Sequence, residues 1–142
     1  MSEAKPEAGD LWVHRKTGGV YFVRGLGALR LQCGDSTHDS EQLVEYLLAD
    51  SPESESERWA RPLSEFIDGR FSYSGRYSAR VDAARQAVDD LVVERRRRLA
   101  EWSGTVAAFD AAGEHAELHE QVRVARSRVE MLLARQARLE GR

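Results

Sequence analysis

The first half of the chain alternates apolar and polar positions, which is the pattern of half-buried β-strands. Residues 9–33 are rich in β-branched and aromatic side chains, and Lys16-Thr17-Gly18-Gly19 interrupts them. Glycine adopts the positive φ of tight turns, so we predict a hairpin there. Gly25-Leu26-Gly27 predicts a bulge or kink. Five strands are predicted: Leu11–His14, Val20–Arg24, Leu29–Cys33, Leu43–Leu48 and Arg58–Leu63.

The stretch ERWARPLSEFIDGRF, residues 57–71, predicts the end of this β region. Trp59, Arg61 and Leu63 share one strand face, and Pro62 ends the strand because proline cannot donate to a ladder. Ser64 is a suitable N-cap for a following helical turn. Arg61 lies on a face that should be apolar, so it must pair with an acid or reach a ligand. Four side chains are predicted to plug the core: Trp59, Leu63, Phe66 and Ile67.

From Ser78 onward the apolar positions recur at the spacing of amphipathic helices. Ser103-Gly104 predicts a kink, and Gly113 is a suitable residue to end the first helix. The second helix carries an alternating four-three repeat typical of coiled coils. Long amphipathic helices need a partner for the apolar face, so we predict an antiparallel hairpin that packs on a second copy or over the sheet. The predicted interface of a homodimer or higher homo-oligomer comprises Val88, Leu91, Leu99, Trp102, Val122, Val129 and Leu132.

The predicted fold is therefore α+β, with a small N-terminal SH3-like bent sheet or barrel of about five strands and a long C-terminal helical hairpin. Residues 1–8 are predicted to be disordered, residues 9–72 to form the β domain, and residues 73–142 to form the hairpin. Composition agrees with this division, because eight of the 11 glycines and all three prolines precede residue 76.

Charge and composition narrow the classes of function. The net charge is −3, with 13 acidic and 8 basic residues up to residue 70 and 11 acidic and 13 basic residues after it. Such a balance disfavours strong nonspecific nucleic-acid binding. No apolar run is long enough to span a bilayer, and the first ten residues do not resemble a signal peptide. The single cysteine, Cys33, suits a reducing compartment, so we expect a cytoplasmic location.

The order of motifs resembles a family of small bacterial and phage domains of unknown function. Members open with a basic strand and a Lys-Gly turn, continue with Tyr-x-Val-x-Gly and Val-x-Tyr strands, and close on Trp-x-Arg-Pro-Leu-x-x-Phe. The resemblance covers about residues 9–72, departs at the longer connections 29–42 and 51–57, and omits the helices. It implies a compact β module of phage or prophage origin and supplies no activity. The matching residues are His14, Lys16, Gly18, Tyr21, Val23, Gly25, Val44, Tyr46, Trp59, Arg61, Pro62, Leu63, Phe66 and the Asp68–Phe71 ending.

Three groups of residues could carry chemistry. The run Arg95–Arg98 could hold phosphate through its guanidinium groups or form a solvated face. His115 and His119, one helical turn apart, could bind a transition metal, but no third ligand is indicated and exposed histidines are the simpler interpretation. Aromatic and arginine side chains near the domain boundary could stack on or pair with a ligand or pack within the protein. The predicted ligand-binding residues are Arg61, Tyr73, Arg76, Tyr77 and Arg80.

No catalytic motif, cofactor fingerprint or metal site is recognised, so an enzyme is not expected. The favoured function is a non-enzymatic accessory protein of phage type, with a role in counter-defence. It would sequester a phosphate-bearing small molecule, such as a nucleotide signal, or block a host protein. The alternative is a weak nucleic-acid-binding module that uses barrel aromatics and helix arginines.

Overall fold

The computed structural model describes residues 5–28, 42–50 and 57–141. The chain divides into two compact units, one of Met1–Tyr77 with Ala137–Arg142 and one of Ser78–Gln136. Residues 73–77, predicted as part of the helical region, therefore belong to the first unit. Residues 5–8 were predicted to be disordered. In the structure Pro6 is buried, and Arg76 donates a hydrogen bond to the carbonyl oxygen of Ala8 at 3.0 Å.

An antiparallel five-stranded sheet forms the body of the first unit. Its strands are β1 (Asp10–His14), β2 (Val20–Ala28), β3 (Gln42–Leu48), β4 (Arg58–Pro62) and β5 (Phe71–Arg76), in the spatial order β4-β3-β2-β1-β5. No ladder joins β4 to β5 in the described part of the chain, so the sheet is open and not a closed barrel. The SH3-like bend of the sheet stays a prediction.

Four of the predicted strands correspond to β1–β4, whereas the predicted strand Leu29–Cys33 lies outside the described residues. The register shifts between Val23 and Gly25, which places a bulge there, and β2 then continues to Ala28. Strand β5 was not predicted. Its two serines and Gly75, which has φ +93°, are typical of a turn, and its pairing with β1 outweighs that local preference.

Apolar residues cover both faces of the sheet. On one face the short helix α1 (Leu63–Phe66) places a fully buried Phe66 against Phe71, with ring centroids 4.3 Å apart. On the other face Leu11 and Phe22 are buried cross-strand neighbours, and the Tyr77 ring makes a T-shaped contact with Phe22. The cluster under α1 consists of Trp12, Val23, Val44, Tyr46, Phe66 and Phe71, with Trp59, Leu63 and Ile67 packed against it.

The predicted capping of this turn is wrong in one respect. The helix begins at Leu63, so Pro62 is the N-cap, without a side-chain hydrogen bond, and Ser64 lies within the first turn. The plug itself agrees with the sequence interpretation, because Phe66 is buried and its apolar neighbours surround it.

Three helices follow the sheet: α2 (Tyr77–Glu101), α3 (Val106–Asp110) and α4 (Gly113–Leu139). The predicted kink is a complete break, since Gly104 has φ +152° and Thr105 caps α3 by accepting from the amide of Ala108 at 3.1 Å. Gly113 begins α4 rather than closing a single long first helix. The structure thus shows long C-terminal helices after a sheet, and their antiparallel pairing stays a prediction.

Candidate binding site

Arg61 is the charged residue on the inner face of β4, opposite Val44 on β3. Its Nε donates to the hydroxyl of Tyr46 at 3.3 Å, and its Nη1 lies 3.5 Å from Glu65. The guanidinium also lies 6.0 Å from the centroid of the Phe71 ring. The hydrogen bond with Tyr46 raises the pKa of Arg61, and the Glu65 carboxylate adds to that effect. Of the two possibilities for Arg61, the structure therefore shows pairing with an acid.

This pairing can be tested by a double-mutant cycle on Arg61 and Tyr46. We expect Tyr46→Phe to lower the free energy of unfolding by about 1 kcal/mol, because it removes one hydrogen bond to a partly exposed cation. In the Arg61→Gln background the same change should cost about half as much, which indicates coupling between the two side chains. Urea denaturation of the four proteins measures both values, and fully additive losses would contradict the contact.

Arg76 connects β5 to the N-terminal segment. Its Nη1 lies 3.1 Å from Asp10 and 3.5 Å from Glu7, and its Nη2 donates to Ala8. Asp10 is 4% exposed and also accepts from the amide of Glu7 at 2.8 Å. Sequence reasoning missed Asp10, although an aspartate directly after Gly9 at a strand start is a common local backbone acceptor. Arg76 is thus a structural ion-pair residue in this chain.

The remaining predicted ligand residues have separate locations. Tyr73 is 47% exposed on β5 and packs edge-to-face with Trp12, with the ring centroids 5.5 Å apart. Tyr77 is fully buried, so its side chain belongs to the core and is not available to a ligand. Arg80 lies in the second unit, half-buried and with an interaction partner.

The predicted ligand cluster does not form one site on the sheet. Arg61 is on β4 and Arg76 is on β5, which are the two opposite edge strands. Both guanidinium groups already contact carboxylates of their own chain. Only Tyr73 combines high exposure with an aromatic neighbour, and it lies on the outermost strand.

The arginine run on α2 is largely neutralised within the second unit. Glu94 accepts from Arg97 at 2.7 Å and from Arg98 at 2.9 Å, while Arg95 donates to both carboxylate oxygens of Asp110 at 3.0 Å. Arg96 is exposed. On α4, Arg123 forms an ion pair with Glu120, and Arg135 and Arg138 also have interaction partners.

The environment of Glu94 predicts how the stability of the helices depends on pH. The hydrogen bonds from Arg97 and Arg98 lower the pKa of Glu94 from its ordinary 4.5 to about 2. A lowered pKa in the folded state stabilises the fold above pH 4.5, and that contribution is lost as the pH falls from 4.5 towards 2. We therefore expect Glu94→Gln to reduce the acid dependence of helix stability in that window, as measured by circular dichroism. A carboxyl NMR titration of Glu94 with a midpoint near 4.5 would contradict the assignment.

A second aromatic cluster forms where α2, α3 and α4 meet. Phe109 is fully buried and stacks on His115 with centroids 4.2 Å apart, and Trp102 makes T-shaped contacts with both rings. His119 lies 3.5 Å from Asp110. No group of three histidine, cysteine or acidic residues able to hold a metal occurs among the residues that the structure describes. His115 therefore packs in the cluster, and His119 is exposed beside a carboxylate.

The predicted oligomer interface is already covered to a large extent within one chain. Val122 and Leu132 are buried, and the other five predicted residues are half-buried: Val88, Leu91, Leu99, Trp102 and Val129. The large apolar side chains most exposed on the helices are different ones, Val93, Val106, Val124 and Met131. A second copy is not needed to shield Val122 and Leu132 from water.

These features define an α+β protein in which a five-stranded antiparallel sheet precedes long C-terminal helices. No protein-family model matches the chain, no curated protein is significantly similar to it, and no solved structure is significantly similar in fold. Among the helices described, none has the length and apolar character that crossing a membrane requires.

Proposed function

We propose that this chain is a non-enzymatic binding protein that acts by contacting and blocking another protein. The observation that supports this function is the internal pairing of its cations. In the part of the chain that the structure describes, at least nine arginines lie within 3.8 Å of a carboxylate: Arg24, Arg58, Arg61, Arg70, Arg76, Arg95, Arg97, Arg98 and Arg123.

Such pairing argues against a phosphate-bearing ligand. A phosphate would have to displace a carboxylate that already occupies the guanidinium, so the gain from the new contact is offset by the loss of the old one. The acidic net charge of −3 opposes an anionic ligand as well. Sequestration of a nucleotide signal and weak nucleic-acid binding are therefore the less supported forms of the function.

Exposed apolar and aromatic groups favour a polypeptide partner instead. Tyr73 stands on an edge strand, and Val93, Val124 and Met131 are each at least 44% exposed on the helices. Tyrosine and methionine are enriched at the cores of protein interfaces. The resemblance to phage and prophage domains suggests a host protein as the target and counter-defence as the context.

Two measurements distinguish a polypeptide partner from a nucleotide or nucleic-acid ligand. Thermal-shift assays with cyclic and linear nucleotides, and binding assays with DNA and RNA at low salt, are expected to show no effect. Affinity purification from the bacterial host, followed by reconstitution with purified components, is expected to yield a stoichiometric complex with one protein.

A triple Arg96→Ala, Arg126→Ala, Arg128→Ala variant provides the matched control, because these three arginines are exposed on the helices. If a nucleotide stabilises the wild-type protein and not this variant, the phosphate-binding function is correct and the proposed one is wrong.

A further inference from the structure

The last residues of α4 belong to the sheet unit and not to the helical unit. The chain leaves the sheet unit after Tyr77 and returns to it at Ala137. Leu139, the final residue of α4, is 5% exposed, although the ends of helices commonly fray. Residues 137–141, which we call the C-terminal turn, are therefore a docked segment of the sheet unit.

Arg24 is the residue of the sheet that meets the C-terminal turn. The register of β2 against β3 shifts between Val23 and Gly25, so Arg24 is the extra residue of the bulge. Glu45 lies between two members of the cluster under α1, and its side chain therefore points to the opposite face of the sheet. Nη1 of Arg24 is 3.7 Å from Glu45, which places the Arg24 guanidinium on that opposite face as well.

Gly141 ends the C-terminal turn and packs against the Arg24 guanidinium. Its φ of +77° is the left-handed conformation that commonly follows a helix, and its amide donates to the carbonyl of Arg138 at 3.0 Å. A Cβ at this position would lie 2.9 Å from Cζ of Arg24 and closer still to Nη2. The guanidinium thus lies at the carboxyl end of α4, where the backbone carbonyls carry partial negative charge. Glycine satisfies both the backbone conformation and the close approach.

The docked arrangement carries a cost at Arg24. Its Nη1 is buried and donates no hydrogen bond to any residue that the structure describes. The distance of 3.7 Å to Glu45 is longer than a hydrogen bond, and Arg58 lies 3.8 Å from the same carboxylate oxygen. A buried N–H without an acceptor destabilises the state that buries it. Separation of the C-terminal turn from the sheet returns this N–H to water, so the docked state is held less firmly than its burial suggests.

We propose that Arg24 and the C-terminal turn form a latch, which opens while the rest of the sheet unit stays folded. In the closed state the guanidinium lies against Gly141 and Leu139 is buried. In the open state both of these contacts are lost, and the sheet surface around Arg24 becomes accessible. The latch thus controls access to this face of the sheet, and it does so independently of the identity of any partner protein.

Hydrogen exchange of the full wild-type chain in low urea tests whether the C-terminal turn opens on its own. The amides of residues 137–139 should be protected, and they should exchange through an opening with a smaller urea dependence than that of the amides in β1–β3. If residues 137–139 exchange only together with the sheet, the turn is a fixed part of the sheet unit and the proposal is wrong. Exchange without protection would show a frayed helix end and would overturn the proposal as well.

Two matched pairs of variants assign the opening to the proposed contact. Arg24→Gln should speed the exchange of residues 137–139 at least about tenfold, whereas Arg58→Gln, which removes the other guanidinium beside the same carboxylate, should not. Gly141→Ala should act as Arg24→Gln does. Gly18→Ala is its control, because Gly18 has a φ of +74° and no atom within 4 Å of its Cβ position.

An apolar dye shows whether the latch covers apolar surface. Gly141→Ala should increase the fluorescence of added anilinonaphthalene sulfonate, and Gly18→Ala should leave it unchanged. Equal exchange rates of residues 137–139 in the two arginine variants, or in the two glycine variants, would contradict the latch. Unchanged dye fluorescence in Gly141→Ala would also contradict it, because the turn would then cover no apolar surface.

Discussion

Phe66→Ala is expected to unfold the sheet unit while leaving most of the helical signal in place. Phe66 is fully buried, stacks on Phe71 at 4.3 Å, and contacts Trp12 and Tyr46 with centroids 5.3 and 5.5 Å away. Removing a buried phenyl ring costs about 3–5 kcal/mol, through lost transfer free energy and the cavity left behind. A sheet of this size has little stability to lose, so the variant should be largely unfolded at physiological temperature.

The measurement is urea denaturation followed by tryptophan fluorescence, with helical circular dichroism recorded in parallel. Phe66→Leu is the matched control, because it keeps most of the volume and should cost about 1 kcal/mol. If Phe66→Ala costs no more than Phe66→Leu, the ring does not close the core and the role assigned to α1 is incorrect.

Phe109→Ala should have the second largest effect and should act on the helical unit. Phe109 is fully buried between His115 and Trp102, and the guanidinium of Arg95 lies 5.9 Å from its ring centroid. Loss of the ring removes the apolar centre of the junction, with an expected cost of about 3–5 kcal/mol. The Arg95–Asp110 pair should also weaken, because water gains access to it.

Hydrogen exchange of amides 95–119 measures this effect locally. Val106→Ala on the same short helix is the control, since Val106 is 56% exposed and such surface changes stay within about 0.5 kcal/mol. Equal exchange rates in the two variants would show that Phe109 does not hold the junction together.

The strands and helices that were predicted correctly have strong local signals. Strands β1 and β3 are short runs rich in apolar residues, and α4 repeats apolar residues at helical spacing, so these elements are identifiable in advance. Strand β5 lacks that signal, because Ser72, Ser74 and Gly75 favour a turn. Only pairing with β1 makes it a strand, and pairing is a long-range property.

The candidate site shows the same limit of local sequence patterns. The sequence pattern identified Arg61 as a cation on an apolar face. Whether Arg61 pairs with an acid or binds a ligand depended on the positions of Glu65 and Tyr46. Tyr77 was a candidate ligand residue with internal packing as the alternative, and the structure shows packing, because Tyr77 is buried beside Phe22. Side-chain type indicates what chemistry is possible, whereas neighbours distant in sequence decide whether that chemistry remains available.

The sequence by itself determined the α+β class, the hairpin at Gly18-Gly19 and the apolar face of α4 that buries Leu118, Val122 and Leu132. These follow from local periodicity and from the conformations that glycine permits. The tertiary structure alone decided that the sheet is open and that β5 is its edge. It also decided that arginines such as Arg76 and Arg95 face carboxylates of the same chain. Strand order depends on contacts between segments far apart in the chain, which no local pattern records, and so do ion pairs such as Arg76–Asp10 and Arg95–Asp110.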